Sequence, residues 1–305
     1  MSRPFVPGWD PTTARRARAA FQARGQSFAL APFADDERPL PTAFSLARFR
    51  LWPFDQGPVG SCFANAATQA FQIHTAADVA AGGRWELVPL SRRLVWYQGR
   101  KLDGSLGSWS DGGSVTNAMA GLGEAPHGIG CCHEEQWSYK PDHRWLEQAP
   151  PAEVTVDANL NRLSQIADIP IGDRWKRAIF NGHPVAIGIW WPFGWDSQVD
   201  QSGRCTGIGR GTYGHALAVI GWMDDWDGHP WWQIENSHGP IYHPVPPAIA
   251  QQITGYQPAH SDKTHDFWTR DDWLREVLGY GESESLAAAG LTGFKKRKLD
   301  WEEMM

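Results

Sequence analysis

Cys62 is the residue whose setting most favours chemistry. It follows Gly60-Ser61 and opens an Ala-rich stretch over 62–77, where Ala64, Ala66, Ala67 and Ala70 supply helix propensity. Phe63, Ala67, Ala70, Phe71 and His74 fall at helical spacing. Ser61 stands where a helix N-cap belongs, and Gln56-Gly57-Pro58-Val59-Gly60 ahead of it must be loop. A thiol attacks as its thiolate, and the ordinary cysteine pKa is about 8.5. The first turn of a helix offers the positive end of the helix dipole, which favours that anion. Against this stands the commoner role of such a residue, a buried structural cysteine. The other three cysteines, Cys131, Cys132 and Cys205, form no CxxC pair. His127, His133 and His143 lack metal-ligand spacing, so no metal and no cofactor is expected.

The elements that would position Cys62 change character along the chain. The 305 residues are 42% hydrophobic and 20% charged, enough for a real core in one large domain or two small ones. Residues 1–41 are rich in Pro, Ala and Arg, and read as an N-terminal extension with one helix. Arg15, Arg16, Arg18 and Arg24 with Phe21 suit an exposed helix or arm. Residues 42–254 read as the globular body, with helices early (about 42–150) and strands late (about 151–254). Runs at 184–191, 215–222 and 231–235 are rich in Val, Ile and Trp between Gly and Pro, as strands are. Residues 255–305 read as a C-terminal extension with a helix at 271–278 and a charged tail. Segregated helices and strands define an α+β protein. Eighteen Trp with 32 Gly and 22 Pro point to a loop-rich fold packed by large rings. Trp190, Trp191, Phe193 and Trp195, and likewise Trp226, Trp231 and Trp232, read as packing before cleft lining.

Three words of sequence, in order, resemble the papain-like cysteine peptidase family. Gln56-Gly57-Pro58-Val59-Gly60-Ser61-Cys62-Phe63-Ala64 is similar to its nucleophile segment. Gly214-His215-Ala216-Leu217-Ala218-Val219-Ile220-Gly221-Trp222 is similar to its histidine strand, and Glu235-Asn236-Ser237-His238-Gly239 to its Asn-Ser-Trp-Gly word. Asp111-Gly112-Gly113 resembles the segment whose backbone pairs with substrate, and Asn181-Gly182-His183-Pro184-Val185 the entry to the second half. Phe63-Ala64-Asn65-Ala66 points to the bacterial and phage branch. The separations, about 153 residues from Cys62 to His215 and about 174 to Asn236, exceed the roughly 130–150 typical of the family and imply a modest insertion. Val59 stands where secreted members have a disulfide cysteine, and His238 replaces the tryptophan that shields the Asn–His bond.

The resemblance implies a two-lobed papain-like fold: a helical lobe whose central helix carries the nucleophile, and an antiparallel β-barrel-like lobe. It implies Cys62 as nucleophile, His215 as base, Asn236 as the residue orienting the imidazole, and Gln56 with the Cys62 N–H as oxyanion donors. Gly112, Gly113 and Gly214 become the substrate-binding positions. The expected activity is thiol peptidase hydrolysis of protein or peptide substrates through a thioester. The alternative is a weak or inactive papain-like module, serving as a structural or peptide-binding part of a larger assembly such as a phage particle. The terminal extensions are where an assembly partner would attach. A formal charge of −6 gives no basic field for nucleic acid. No apolar run approaches the roughly 18 residues of a membrane span, and no signal-peptide core opens the chain. A cytoplasmic setting is expected, or a virion if the gene is phage-borne. The basic run Lys295-Lys296-Arg297-Lys298 reads as solvated tail.

Overall fold

The computed structural model describes residues 8–24, 28, 36–51, 54–82, 89–108, 112–123, 128–191, 198–205, 211, 213–256 and 263–291. Asp111, His127, Phe193, Trp195 and the run 295–298 lie outside the described residues. In chain order the elements begin with α1 (Pro11–Ala23), β1 (Ala43–Ser45), a 3-10 turn (Ala47–Phe49), α2 (Cys62–Ala80), α3 (Arg92–Asp103) and α4 (Val115–Gly121). Next come α5 (His143–Leu146), α6 (Ala152–Ala158), β2 (Leu163–Asp168), α7 (Asp173–Phe180) and β3 (Val185–Trp191). The chain then forms β4 (Arg204–Cys205), β5 (Tyr213–Trp226), β6 (His229–Glu235), α8 (Pro247–Ala250), β7 (Asp266–Arg270), α9 (Asp271–Leu278) and β8 (Glu284–Leu291). No described helix is long and apolar enough to cross a membrane.

Helix α2 forms where the Ala-rich stretch predicts it, and it is buried nearly all round. Small side chains let it pack against α3 and α4 on one side and the sheet on the other. Ser61 takes the N-cap position, but its side chain makes no cap hydrogen bond. Its Oγ pairs instead with the Tyr139 hydroxyl at 2.6 Å and accepts from Asn65 Nδ2 at 3.0 Å.

The sheet runs in the order β2-β8-β3-β5-β6-β7-β4, with β1 beside the far end of β5. All its pairs are antiparallel except β4 with β7. It is open, which corrects the expectation of a barrel-like lobe. Closure needs edge strands that meet with a consistent stagger; here the edges are β2 and the two-residue β4. The segment read as a C-terminal extension supplies β7, α9 and β8, and β8 fills the place between β2 and β3. The segment read as an N-terminal extension packs α1 on α4. One core, containing Phe44, Trp175, Ile187, Leu217, Trp232 and Trp273, lies on the far face of the sheet. A second, with Phe63, Phe71, Trp96 and Met119, surrounds α2.

The end of β6, which leads into Asn236, is held by a buried ionic network. Arg50 Nη1 reaches Glu235 Oε2 at 3.0 Å and Asp266 Oδ1 at 2.6 Å. Burial pushes Glu235 up to about 7 despite Arg50, while Asp266, also disfavoured by burial, is held below its ordinary value by Arg50. Arg50→Ala strands two buried carboxylates, and is expected to cost about 3–5 kcal/mol in urea unfolding. The loss should be smaller at pH 5 than at pH 8. A carboxyl whose folded pKa is raised gains relative stability by taking up a proton, and that gain fades as pH rises past the ordinary carboxylate range.

Candidate active site

Cys62 opens α2 and His215 lies near the start of β5, so the two reach the cleft from opposite lobes. The sulfur accepts from the backbone N–H of Ala216 at 3.3 Å, which places it against the histidine strand. Asn236 follows β6 directly. Its Oδ1 lies 2.9 Å from His215 Nε2 and also accepts from the Ser237 N–H at 2.8 Å. Its Nδ2 donates to the Tyr242 hydroxyl at 2.5 Å. With the amide oriented this way, Oδ1 faces the ring and His215 donates from Nε2. Cys62, His215 and Asn236 are all fully buried.

Gln56 bridges the lobes. Its backbone N–H donates to the Ser237 carbonyl at 2.8 Å, and its Oε1 accepts from Ser237 Oγ at 2.7 Å. Nε2 donates to the Val59 carbonyl at 3.0 Å. The carboxamide is thus held between Ser237 and Val59, and one of its two N–H bonds is used by Val59.

The expected substrate positions converge on the chain's own N-terminal segment. Gly113 donates to the Gly8 carbonyl at 3.0 Å and accepts from the Asp10 N–H at 3.0 Å, a parallel pairing centred on Trp9. A Cβ on Gly214 would stand 2.0 Å from the Trp9 carbonyl oxygen, so glycine is needed there for close backbone approach. Gly112 also faces the segment, with Asp10 Cβ at 3.5 Å from its ideal Cβ, while its carbonyl accepts from Arg100 at 2.9 Å. Gly8 itself lies over the nucleophile and directs its N–H at the sulfur.

That cover changes the thiol. Burial pushes Cys62 up to about 12, even though the backbone N–H groups of Ala216, Gly8, Phe63 and Cys62 itself work in the opposite direction. In this closed arrangement desolvation thus opposes the thiolate that a helix mouth favours.

Several partners escaped the sequence reading. The His238 ring stacks on His215 at 4.8 Å between centroids and 29° between planes, so an imidazole covers the face where the family has an indole. Trp191, expected as packing, meets the His215 ring edge-on at 4.8 Å. Trp190 lies edge-on to Trp9 at 6.3 Å. Tyr242 anchors Asn236. A tyrosine six residues after the asparagine gives no signal in one sequence, whereas Trp190 and Trp191 stood out only as aromatic density.

No protein-family model matches the chain. It is 27% identical over 191 residues to a peptidase C1-like protein of Acanthamoeba polyphaga mimivirus, a match spanning 57% of each. The chain thus spans somewhat over half the length of that relative. Among solved structures, it superposes on xylellain, a cysteine protease from Xylella fastidiosa, with TM-score 0.62 and 19% identity, over 86% of this chain and 89% of the other. It superposes on the procathepsin B S9 of Trypanosoma congolense with TM-score 0.62 and 14% identity, over 93% and 86%. Digestive procathepsin L 3 of Tenebrio molitor gives 0.55 and 18%, over 89% and 79%. The fold is that of the papain-like cysteine proteases. The curated relative carries the same family in its name, so the resemblance stated from the three words of sequence holds in fold and in sequence alike.

Proposed function

We propose that this chain is a papain-like thiol peptidase that cleaves peptide bonds through a thioester on Cys62. The observation that carries it is the line of contacts from Cys62 Sγ to the histidine strand and from His215 Nε2 to Asn236 Oδ1 at 2.9 Å. With substrate in place of residues 8–10, His215 takes the Cys62 proton at Nδ1. The thiolate attacks the peptide carbonyl, and the developing oxyanion faces the second Gln56 N–H and the Cys62 backbone N–H. The imidazolium returns its proton to the leaving amine, then draws one from the hydrolytic water. Asn236 keeps the ring in one orientation throughout, itself locked by Tyr242 and Ser237. The closed cleft supports a chain that holds its own N-terminal segment where substrate must lie. No observation favours the non-catalytic assembly module over this reading.

The test is cleavage of a mixed peptide library, followed by mass spectrometry, using the full chain and Gly8→Val, a substitution that crowds the segment out of the cleft. New peptide ends are expected with Gly8→Val and are expected to vanish when Cys62→Ala is added. Absence of cleavage by Gly8→Val, with the fold intact, overturns the reading.

His238 gives a finer prediction. The His238 ring stacks on His215, its Nδ1 stands 3.4 Å from Asn236 Nδ2, and its backbone forms a bridge with Asp55. His238→Phe keeps a ring over the His215–Asn236 bond and removes the ring nitrogens. It is expected to retain most of the parent kcat/KM, read in the Gly8→Val background. His238→Ala should instead lower kcat/KM by up to about tenfold at every pH, the worth of a stacked ring pair.

A further inference from the structure

Gln56 and the Cys62 N–H lie on separate peptides, and one oxygen can use both donors only if the two are held at a set distance. Gln56 precedes the turn at 57–60, and the Cys62 N–H belongs to the peptide that follows Ser61. The Tyr139 hydroxyl stands between them, 2.8 Å from the Gln56 carbonyl and 2.6 Å from Ser61 Oγ. A carbonyl can only accept, so Tyr139 gives Gln56 its one proton, and Ser61 must donate to Tyr139.

The run of donors continues in one direction. Ser61 Oγ accepts from Asn65 Nδ2 at 3.0 Å, and Asn65 Oδ1 accepts from Arg92 Nη1 at 3.2 Å. Each group accepts from the one behind and donates to the one ahead, from the guanidinium to the Gln56 carbonyl, and such a chain polarises along its length. Asn65 Nδ2 also reaches the Ser61 carbonyl at 2.9 Å, which fixes the peptide that carries the Cys62 N–H. Arg92 lies over the rings of Phe54 and Tyr139, 4.4 and 4.2 Å from their centroids, and its Nη1 meets the Asp55 carbonyl at 3.2 Å. Glu134 Oε1 accepts from the Tyr139 N–H at 2.8 Å and its Oε2 from the Arg92 N–H at 3.3 Å. Tyr139, Gln56, Ser61 and Asn65 are all buried, so a broken link leaves a polar group unpaired. A second tie runs through the Val59 carbonyl, which accepts from Gln56 Nε2 and from the Ser61 N–H. Its bond to Gln56 acts on the side chain and leaves the backbone carbonyl to Tyr139.

We propose that Tyr139 is a positioning residue of the oxyanion hole. It touches no reacting atom. It holds the Gln56 backbone against Ser61, so that the free carboxamide N–H and the Cys62 N–H converge on one oxygen. This deepens the peptidase reading and rests on it. Tyr139→Phe keeps the ring, and with it the Arg92 contact, and removes the joint. Donors moved out of place lose much of their effect on the transition state while the substrate binds as before.

The experiment uses the full chain carrying Gly8→Val and compares two reactions of one sulfur. Acylation by a peptide p-nitrophenyl ester passes through an oxyanion, and alkylation by iodoacetamide does not. Tyr139→Phe is expected to slow acylation at saturating ester by about tenfold or more, with the half-saturating ester concentration changed by less than about twofold. Alkylation of Cys62 should keep its rate. In a Gln56→Ala background the same substitution should change acylation by less than about twofold, because the donor it positions is gone. Ser61→Ala cuts the joint from the α2 side and should slow acylation in the same sense. It carries the comparison if circular dichroism shows that Tyr139→Phe does not fold. Equal slowing of acylation and alkylation shows that Tyr139 supports the mouth of α2 as a whole, and overturns the proposal. An undiminished loss in the Gln56→Ala background overturns it too. A Gly8→Val parent that alkylates readily yet never acylates overturns the peptidase reading, and the role of Tyr139 falls with it. A parent that acylates no faster than Tyr139→Phe and Ser61→Ala overturns the role of Tyr139 alone.

Discussion

His215→Ala in the Gly8→Val background is expected to lower kcat for peptide hydrolysis by on the order of 10⁴–10⁶, with Cys62→Ala equally damaging. The double substitution should be no worse than either alone, because sulfur and imidazole act as a unit and losing one idles the other. The size follows from the environment. With the cleft open the thiol relaxes toward its ordinary value of about 8.5, so at neutral pH it stays mostly protonated unless the imidazole takes the proton. Asn236→Ala should be milder, about 10–100-fold, since Trp191 and His238 still bracket the imidazole. Single-turnover rates with an activated ester substrate check the order. An Asn236 variant as crippled as His215→Ala would show that the carboxamide, and not the ring stack, sets the orientation. Additive losses for Cys62 and His215 would dissolve the pair.

Much of this site was legible because its parts are local words. Gly60-Ser61-Cys62 before an Ala-rich run announces a buried helix with its mouth at sulfur, and α2 forms there. His215 and Asn236 lie at or beside strand ends whose Val, Ile and Trp content speaks for itself. What stayed hidden depends on distant chain. β8 reads Glu-Ser-Leu-Ala-Ala-Ala-Gly-Leu, a composition poor in β-branched residues, and tertiary pairing with β2 and β3 overrides that preference. Small side chains suit a strand whose Leu286 and Ala288 join the core around α2. The open sheet was equally unreadable, since strand order and closure are not properties of any one strand. Trp9 stands in a Pro- and Gly-containing stretch, and nothing local says that it crosses to Glu284, 275 residues away in sequence. His238 stands where the family has tryptophan, and its stacked imidazole covers the His215 ring.

Gly8→Val is expected to convert the closed chain into a reactive one. An ideal Cβ at residue 8 would lie 2.5 Å from the Gly60 carbonyl carbon and 2.7 Å from the Cys62 nitrogen. Both are backbone atoms at the mouth of α2 and cannot swing aside, so the segment must leave. Water then reaches Cys62, and the burial that holds the thiol at about 12 is relieved toward the ordinary value near 8.5. The thiolate fraction at neutral pH rises by roughly three powers of ten. A less basic thiolate is a weaker nucleophile by about half of that exponent, so alkylation should accelerate by about 10²-fold from chemistry alone, with access adding to it. Iodoacetamide labelling followed by peptide mapping reads this at one residue. Cys131, Cys132 and Cys205 stay buried and serve as internal controls. Burial also holds Cys131 well above its ordinary value and Cys132 up at about 12. Labelling confined to Cys62 and slowed again by His215→Ala would show that the released thiol is the one the imidazole activates. Equal slow labelling of the parent and Gly8→Val would mean that something other than residues 8–10 seals the sulfur. A rise at all four cysteines would mean that the substitution unfolded the helical lobe instead of opening the cleft.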